Sequence, residues 1–251
     1  MRRRDFLKSV PPVALMPQLR SAPRLKITDI QIVKLRVVRE AGRMEAAWNP
    51  GTVSMHQIGG GSIIEIHTDQ GLSGIGPAID AATLELGKAQ LIGKDPFNVE
   101  QMAGPLRYYV GGSPRTISSL EIALWDLIGK ASGQPLYKIC GAAKDRVPAY
   151  ASMIRLSTPE ERVRMAVQLK ALGWKAIKLR AHYQTLKEDI GMVEAVRKAV
   201  GEGMEIMVDA NQAQSFGTWQ PGVMWDFRRA LETARELERL NVHWLEEHTN
   251  V

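Results

Sequence analysis

The sequence predicts an α+β region followed by a parallel α/β sheet of about four strand-helix units, and three observations carry that expectation. Three apolar runs end in charge: Trp174 to Arg180 closes on Lys178-Leu179-Arg180, Ile206 to Gln212 carries Asp209-Ala210-Asn211, and Val242 to Glu247 closes on Trp244-Leu245-Glu246-Glu247. Amphipathic helical patterns separate these runs, and strand alternating with helix implies parallel strands whose C-terminal ends gather the chemistry. Before residue 146 the order differs, with strands first and helices after.

The first nine residues, Met1-Arg2-Arg3-Arg4-Asp5-Phe6-Leu7-Lys8-Ser9, resemble a twin-arginine export signal, with Ser21-Ala22 a loose match to a cleavage site. Residues 1–24 therefore read as a leader directing export to the periplasm; a basic tail on a cytoplasmic protein is the alternative. From Leu25 to Val38 the apolar spacing suits one strand. Gly61 to Thr68 alternates as a second, and Asp69-Gln70-Gly71 turns toward a short third. The Gly59-Gly60-Gly61 run and the Gly71, Gly74, Gly76 set lack a phosphate-loop spacing and read as turns. Helices follow: Thr83 to Ile92, one opened by Asp95-Pro96, and a long one over Thr116 to Ala131.

The parallel part begins at Val147 to Ser152. Thr158-Pro159-Glu160-Glu161 is a capping box opening the next helix, which Gly173 closes. After the Lys178 strand, Ile190, Val193, Val196 and Val200 form one helical stripe. After the Asp209 strand come a loop from Gln214 to Met224, bearing Phe216 and Trp219, and a helix with Leu231, Ala234, Leu237 and Leu240 on its stripe.

Composition excludes several function classes. At 45% hydrophobic and 24% charged the chain is globular rather than disordered. The net charge of +6 is concentrated at the start, where Arg2, Arg3, Arg4, Lys8 and Arg20 against Asp5 leave only +2 for the rest, too little for a nucleic-acid-binding face. Cys140 is the single cysteine, so there is no internal disulfide. No run approaches the ~20 apolar residues of a membrane span.

Strand alternation puts Lys178 with Arg180 on one face, Asp209 with Met207 and Asn211, and Glu246 with Trp244. An isolated Asp-x-Asn would as readily cap the next helix. With two neighbouring strands also ending in charge, an ionised Asp209 reads instead as an inward carboxylate that needs a cation.

Lys-x-Arg, Asp-x-Asn and Trp-Leu-Glu-Glu in this order, preceded by Ser118-Ser119-Leu120-Glu121-Ile122-Ala123-Leu124-Trp125-Asp126-Leu127-Ile128-Gly129-Lys130, resemble the mandelate racemase and muconate-lactonising branch of the enolase superfamily, from about Lys26 to the last residue. The resemblance implies a capping domain over residues 25–145 and a TIM-type (β/α) barrel over 146–251 that is incomplete, about four βα units. It implies abstraction of a proton next to a carboxylate, with the enediolate held on magnesium. Asp209 and Glu246 match the first two metal ligands, and the third would come from the next strand. Glu247, one residue off that face, reads as a supporting group. Lys178 matches the first motif lysine and Arg180 stands where many members carry a second, basic lysine. Arginine stays protonated, so it is a poor base; either Lys178 takes that role or a histidine on further strands does. Losing one lysine favours one-base dehydration of an acid sugar over racemisation or cycloisomerisation. Asn211, Trp48, Asn49 and His182 are the expected substrate contacts, with His56 a weaker one; Trp48, Asn49 and His56 belong to a mobile loop over Glu40 to Gln57. His248 replaces a usual proline. The expected partner is a small carboxylate substrate, and homo-oligomers are common among members. Because a complete barrel takes eight strands, the sequence is expected to be a fragment of a longer enzyme; a half-barrel that pairs with another chain, or a non-catalytic product, is the alternative.

Overall fold

Strand β1 (Ile27–Lys34) pairs antiparallel with β4 (Ser62–Thr68), which pairs antiparallel with β5 (Ser73–Pro77), in the order β1-β4-β5. Ile64 and Ile66 supply the buried face at a period of two, and Ile27 and Ile30, three residues apart, join it across an irregularity in the pairing between Ile27 and Asp29. The structure, a computed structural model, describes residues 24–109, 114–214 and 223–249. Residues 1–23, which make up most of the expected leader over 1–24, and the positions of Phe216 and Trp219 lie outside that set.

Helix α1 (Ala81–Leu91) is capped by Asp80, whose carboxylate accepts from the Thr83 amide at 2.8 Å and its hydroxyl at 2.9 Å. The Asp95-Pro96 signal starts a turn rather than a helix. Asp95 accepts from the Phe97 amide at 2.9 Å, and α2 (Val99–Tyr109) begins only afterwards. The long helix α3 (Pro114–Ser132) buries Leu120, Ala123, Leu124 and Leu127 on one stripe. It explains two glycines expected to be turns. Gly74 and Gly76 lie inside β5, and a Cβ on either would run into the Ala123 or Ser119 carbonyl of α3. A short α4 (Leu136–Ile139) completes this unit, which comprises residues up to Arg36 and Gly60–Asp145.

The second unit comprises Val37–Gly59 and Arg146–Val251. Its first piece departs from expectation. The single strand expected over 25–38 ends at Lys34, and the segment expected to be a loop is an antiparallel hairpin of β2 (Val37–Glu45) and β3 (Val53–Gly59). The hairpin is tied to the segment after β6 (Ala151–Ser152) by Ala47 N to Ile154 O at 3.0 Å and Leu156 N to Glu45 O at 2.8 Å. Both strands are exposed along most of their length and bury no apolar face, so no apolar alternation marks them.

The expected parallel sheet is present, in the order β6, β7 (Ala176–Arg180), β8 (Glu205–Asp209) and β9 (Leu245–Glu246). Helix α5 (Pro159–Ala171) carries the expected capping box at Thr158 and Glu161. Helix α6 (Leu186–Val200) starts with another, Thr185 with Glu188. Its stripe Ile190, Val193, Val196 and Val200 packs with Ile177, Leu179, Ile206 and Val208, the outward faces of β7 and β8. Helix α7 (Phe227–Arg239) buries Ala230, Thr233 and Leu237. The expected stripe is thus rotated, and Leu231 is exposed, because capping at Asp226 and the bond from Arg229 to Asp189 set which side faces α6. Among the described residues, no helix is long and apolar enough to cross a membrane.

Candidate active site at the strand ends

Strand register decides which charged groups meet. Arg180 is paired with Asp209, and Asp209 with Glu246, so these three form one row across β7, β8 and β9; Lys178 sits one pleat behind, opposite Met207. Parallel neighbours lie ~4.8 Å apart, within reach of such side chains. Lys178, Arg180 and Asp209 are all buried.

The contacts bind the row into a network. Lys178 Nζ donates to Glu246 Oε1 at 3.0 Å and Oε2 at 2.9 Å, and lies 3.2 Å from Asp209 Oδ2. The Arg180 guanidinium donates to the same Asp209 Oδ2, to Asn211 Oδ1 at 3.2 Å and to Ser152 Oγ at 3.1 Å. Asp209 Oδ1 accepts from the Asn211 amide at 2.9 Å. Asn211 adopts a left-handed φ of 52°, so the strand ends there and the amide folds back toward the carboxylate. Glu247, also left-handed, brings Oε2 to 3.5 Å from Asn211 Nδ2. Trp244 Nε1 donates to Glu246 Oε2 at 3.3 Å.

Electrostatics follow this geometry. Burial alone pulls the Lys178 ammonium down, but hydrogen bonds to Glu246 and Asp209 outweigh it and the net shift is upward. Burial pushes Glu246 up, and the bond from Lys178 outweighs that, leaving it below the usual carboxylate value. Lys178 is therefore held in its charged form by the carboxylates beside it.

The expected substrate contacts separate into two groups. Trp48 lies in the hairpin turn with its ring 5.3 Å from Arg180 Cζ, a cation-π distance. Asn211 is also in the network. Asn49 takes part through its backbone, bonding Ala46 O at 3.1 Å, and His56 lies in β3 opposite Gly42. His182 points elsewhere. Its ring packs on Tyr183 at 4.3 Å, and it borders a cavity of about 470 Å³ with Leu156, Ser157 and Pro159. Burial, helped by Arg162, pushes it down to about 4, so it is neutral at pH 7.

Three residues near the row go beyond the sequence-based expectation. Ser152 accepts from Arg180, and the Tyr150 ring lies 5.3 Å from Lys178 Nζ and edge-on to Trp244. A signal existed: Tyr150 and Ser152 share a face at the end of β6, just as Lys178 and Arg180 do on β7. Gln212 is another. Its side chain bonds Ala210 O, Val223 O and the Trp225 amide, clamping the segment that follows β8.

With this geometry in view, similarity to known proteins is informative. Residues 32–141 match the model of the mandelate racemase/muconate lactonizing enzyme N-terminal domain, and residues 161–251 that of the enolase C-terminal domain-like family. The chain is 33% identical over 202 residues to L-talarate/galactarate dehydratase from Salmonella typhimurium, covering 74% of this chain and 48% of the relative. It is 35% identical over 166 residues to 3,6-anhydro-alpha-L-galactonate cycloisomerase from Streptomyces coelicolor, covering 63% of this chain and 43% of the relative. Among solved structures, D-glucarate dehydratase from Agrobacterium tumefaciens complexed with magnesium superposes with a TM-score of 0.72 at 27% identity, over 90% of this chain and 62% of that one. The chain spans about half the length of the curated relatives it matches.

Proposed function

Because the chain belongs to the mandelate racemase and muconate-lactonising branch of the enolase superfamily, we propose that the protein abstracts a proton α to a carboxylate in a magnesium-dependent reaction, and that the reaction is dehydration of an acid sugar. The observation that carries this is the convergence of Asp209 and Glu246 on one ammonium, Lys178 Nζ, at adjacent strand ends.

That convergence is also the test of whether the residues suit magnesium. Mg²⁺ uses hard oxygen ligands, often one or two carboxylates with the remainder from water or substrate. Asp209 and Glu246 fit as such a pair; among the described residues no group of three His, Cys, Asp or Glu converges. When bound, the metal supplies positive charge to the carboxylate oxygens of the substrate as its α-proton leaves.

The chain's own residues support the rest. Lys178 and Arg180 place positive charge where a second negative charge develops. Arg180 holds its proton at any working pH. Lys178 is held in its ammonium form by Glu246 and Asp209, so it can accept the substrate proton only after losing one of its own to solvent. A racemase needs an acid-base group on each face of its carbon, and the second position on this row is Arg180. One-base loss of water is therefore the better supported reading. The similarity to L-talarate/galactarate and D-glucarate dehydratases agrees with it.

The test is exchange of the α-proton of galactarate and D-glucarate in deuterium oxide with saturating magnesium. Exchange that disappears in Asp209→Asn and Lys178→Met supports the reading. Exchange undiminished in both variants rules these residues out, and no exchange with any sugar acid rules out the reaction.

A further inference from the structure

We propose that Arg180 is a built-in competitor for the metal: its guanidinium must leave Asp209 Oδ2 before a divalent cation can use that oxygen, so Arg180 sets the metal affinity of the site. The inference rests on the reading of Asp209 and Glu246 as metal ligands, and three observations carry it further.

First, Asp209 has no idle oxygen. Oδ1 takes the Asn211 amide at 2.9 Å, and Oδ2 is shared by Arg180 and by Lys178 at 3.2 Å. A carboxylate oxygen facing two cations is a poor ligand until one of them withdraws. Lys178 is less committed to Asp209, which it meets at 3.2 Å, than to Glu246, whose two oxygens accept from it at 3.0 and 2.9 Å.

Second, Arg180 has somewhere to go. Asn211 Oδ1 at 3.2 Å and Ser152 Oγ at 3.1 Å already accept from it, and the Trp48 ring lies 5.3 Å from Cζ. Among the described residues its buried Nε has no hydrogen-bond partner, so the group is incompletely satisfied where it stands. A planar guanidinium with five donors can give up one acceptor and keep the others.

Third, the charges of the row cancel. Lys178 and Arg180 match Asp209 and Glu246, so little net negative charge remains to draw in a dication. Removing the arginine leaves Lys178 facing two carboxylates, a group with one net negative charge. The direction of the effect is unusual: deleting a buried site residue should improve binding, which loss of structure alone does not do.

The experiment is calorimetric titration of the purified protein with MgCl₂, comparing wild type with Arg180→Met and Arg180→Gln; the glutamine retains a hydrogen bond to Asp209 without charge. Both variants are expected to bind Mg²⁺ about tenfold tighter or more, as removal of a neighbouring like charge from a partly desolvated site requires. Equal or weaker affinity in both overturns the proposal. Withdrawal of the guanidinium also predicts a change in tryptophan emission on adding MgCl₂ that is lost in Trp48→Phe; a change undiminished in that variant counts against it. Binding lost in Asp209→Asn but unaltered by the Arg180 substitutions defeats this inference alone. Absence of binding in every protein defeats the metal-site reading as well.

Discussion

Arg180 and Arg197 stand at opposite ends of the same parallel sheet, are buried to nearly the same degree at 6% and 7% exposure, and are held in different ways. Arg197 donates to main-chain carbonyls alone among its described bonds: Leu240 at 3.1 Å, Gly201 at 3.1 Å, Met204 at 2.7 Å and Asn241 at 2.9 Å. It pins the loops that feed β8 and β9. Arg180 donates to side chains at the chemical end. A carbonyl cannot be taken by another cation without unravelling the backbone, whereas a carboxylate can change partners. The first arginine is a fastener, and the second is suited to exchange.

The largest effect should follow from removing the fastener. Arg197→Met strands the buried Met204 carbonyl and three partly buried ones and should cost about 3 kcal/mol or more in urea unfolding, while the magnesium affinity of the folded fraction stays unchanged. A loss below ~1 kcal/mol would break the comparison.

Arg229 falls between the two types, bonding Tyr183 O at 3.1 Å, Gln184 O at 2.7 Å and the Asp189 carboxylate at 2.8 Å. Burial pushes Asp189 up to about 6, against the pull of Tyr183 N and Arg229. A folded-state value above the unfolded one means that stability from this group falls as pH rises from about 4 to 6. His182, pushed down to about 4 by burial, contributes in the opposite sense, losing stability as pH falls from about 6.5 to 4. At about 1.4 kcal/mol per unit, each is worth ~3 kcal/mol and they nearly cancel. Stability should therefore be flat between pH 4 and 6.5. Asp189→Asn should expose a rise with pH and His182→Asn a fall, measured as denaturation midpoints.

Smaller still is the expected cost of losing the exchangeable arginine. Arg180→Met should destabilise by about 1–2 kcal/mol, below the usual cost of breaking a buried pair, because Asp209 keeps Lys178 and the Asn211 amide. Added MgCl₂ should recover more stability in this variant than in wild type. Trp48→Phe should lower stability least, by about 0.5–1 kcal/mol, the value of a cation-π contact.

Much of the row was legible because strand alternation is local. Lys178, Arg180, Asp209 and Glu246 follow from residue type and a period of two. Pairing is not local, so nothing in Lys-x-Arg announced that Arg180 would bind Asp209 rather than await a substrate. The hairpin over Val37–Gly59 leaves no local pattern because its exposed strands are anchored by backbone bonds to a segment about a hundred residues later, at Ile154 and Leu156. Gly74 and Gly76 show the same limit. Their reason lies in the α3 carbonyls they approach, which no pattern within β5 contains. His182 was misjudged from proximity in sequence: past the end of β7 the alternation no longer governs, and the ring turns to Tyr183.

The hairpin also determines how the protein can be taken apart. Residues 37–59 group with residues 146–251, while the chain on either side of them, up to Arg36 and from Gly60, belongs to the other unit. The unit bearing the charged row is therefore discontinuous along the chain. A single cut between Asp145 and Arg146 would not excise it intact, since the released piece would lack Trp48 and leave Arg180 without its aromatic cover. Isolating that half as one soluble piece calls for a circular permutation or a linker that carries Val37–Gly59 with it.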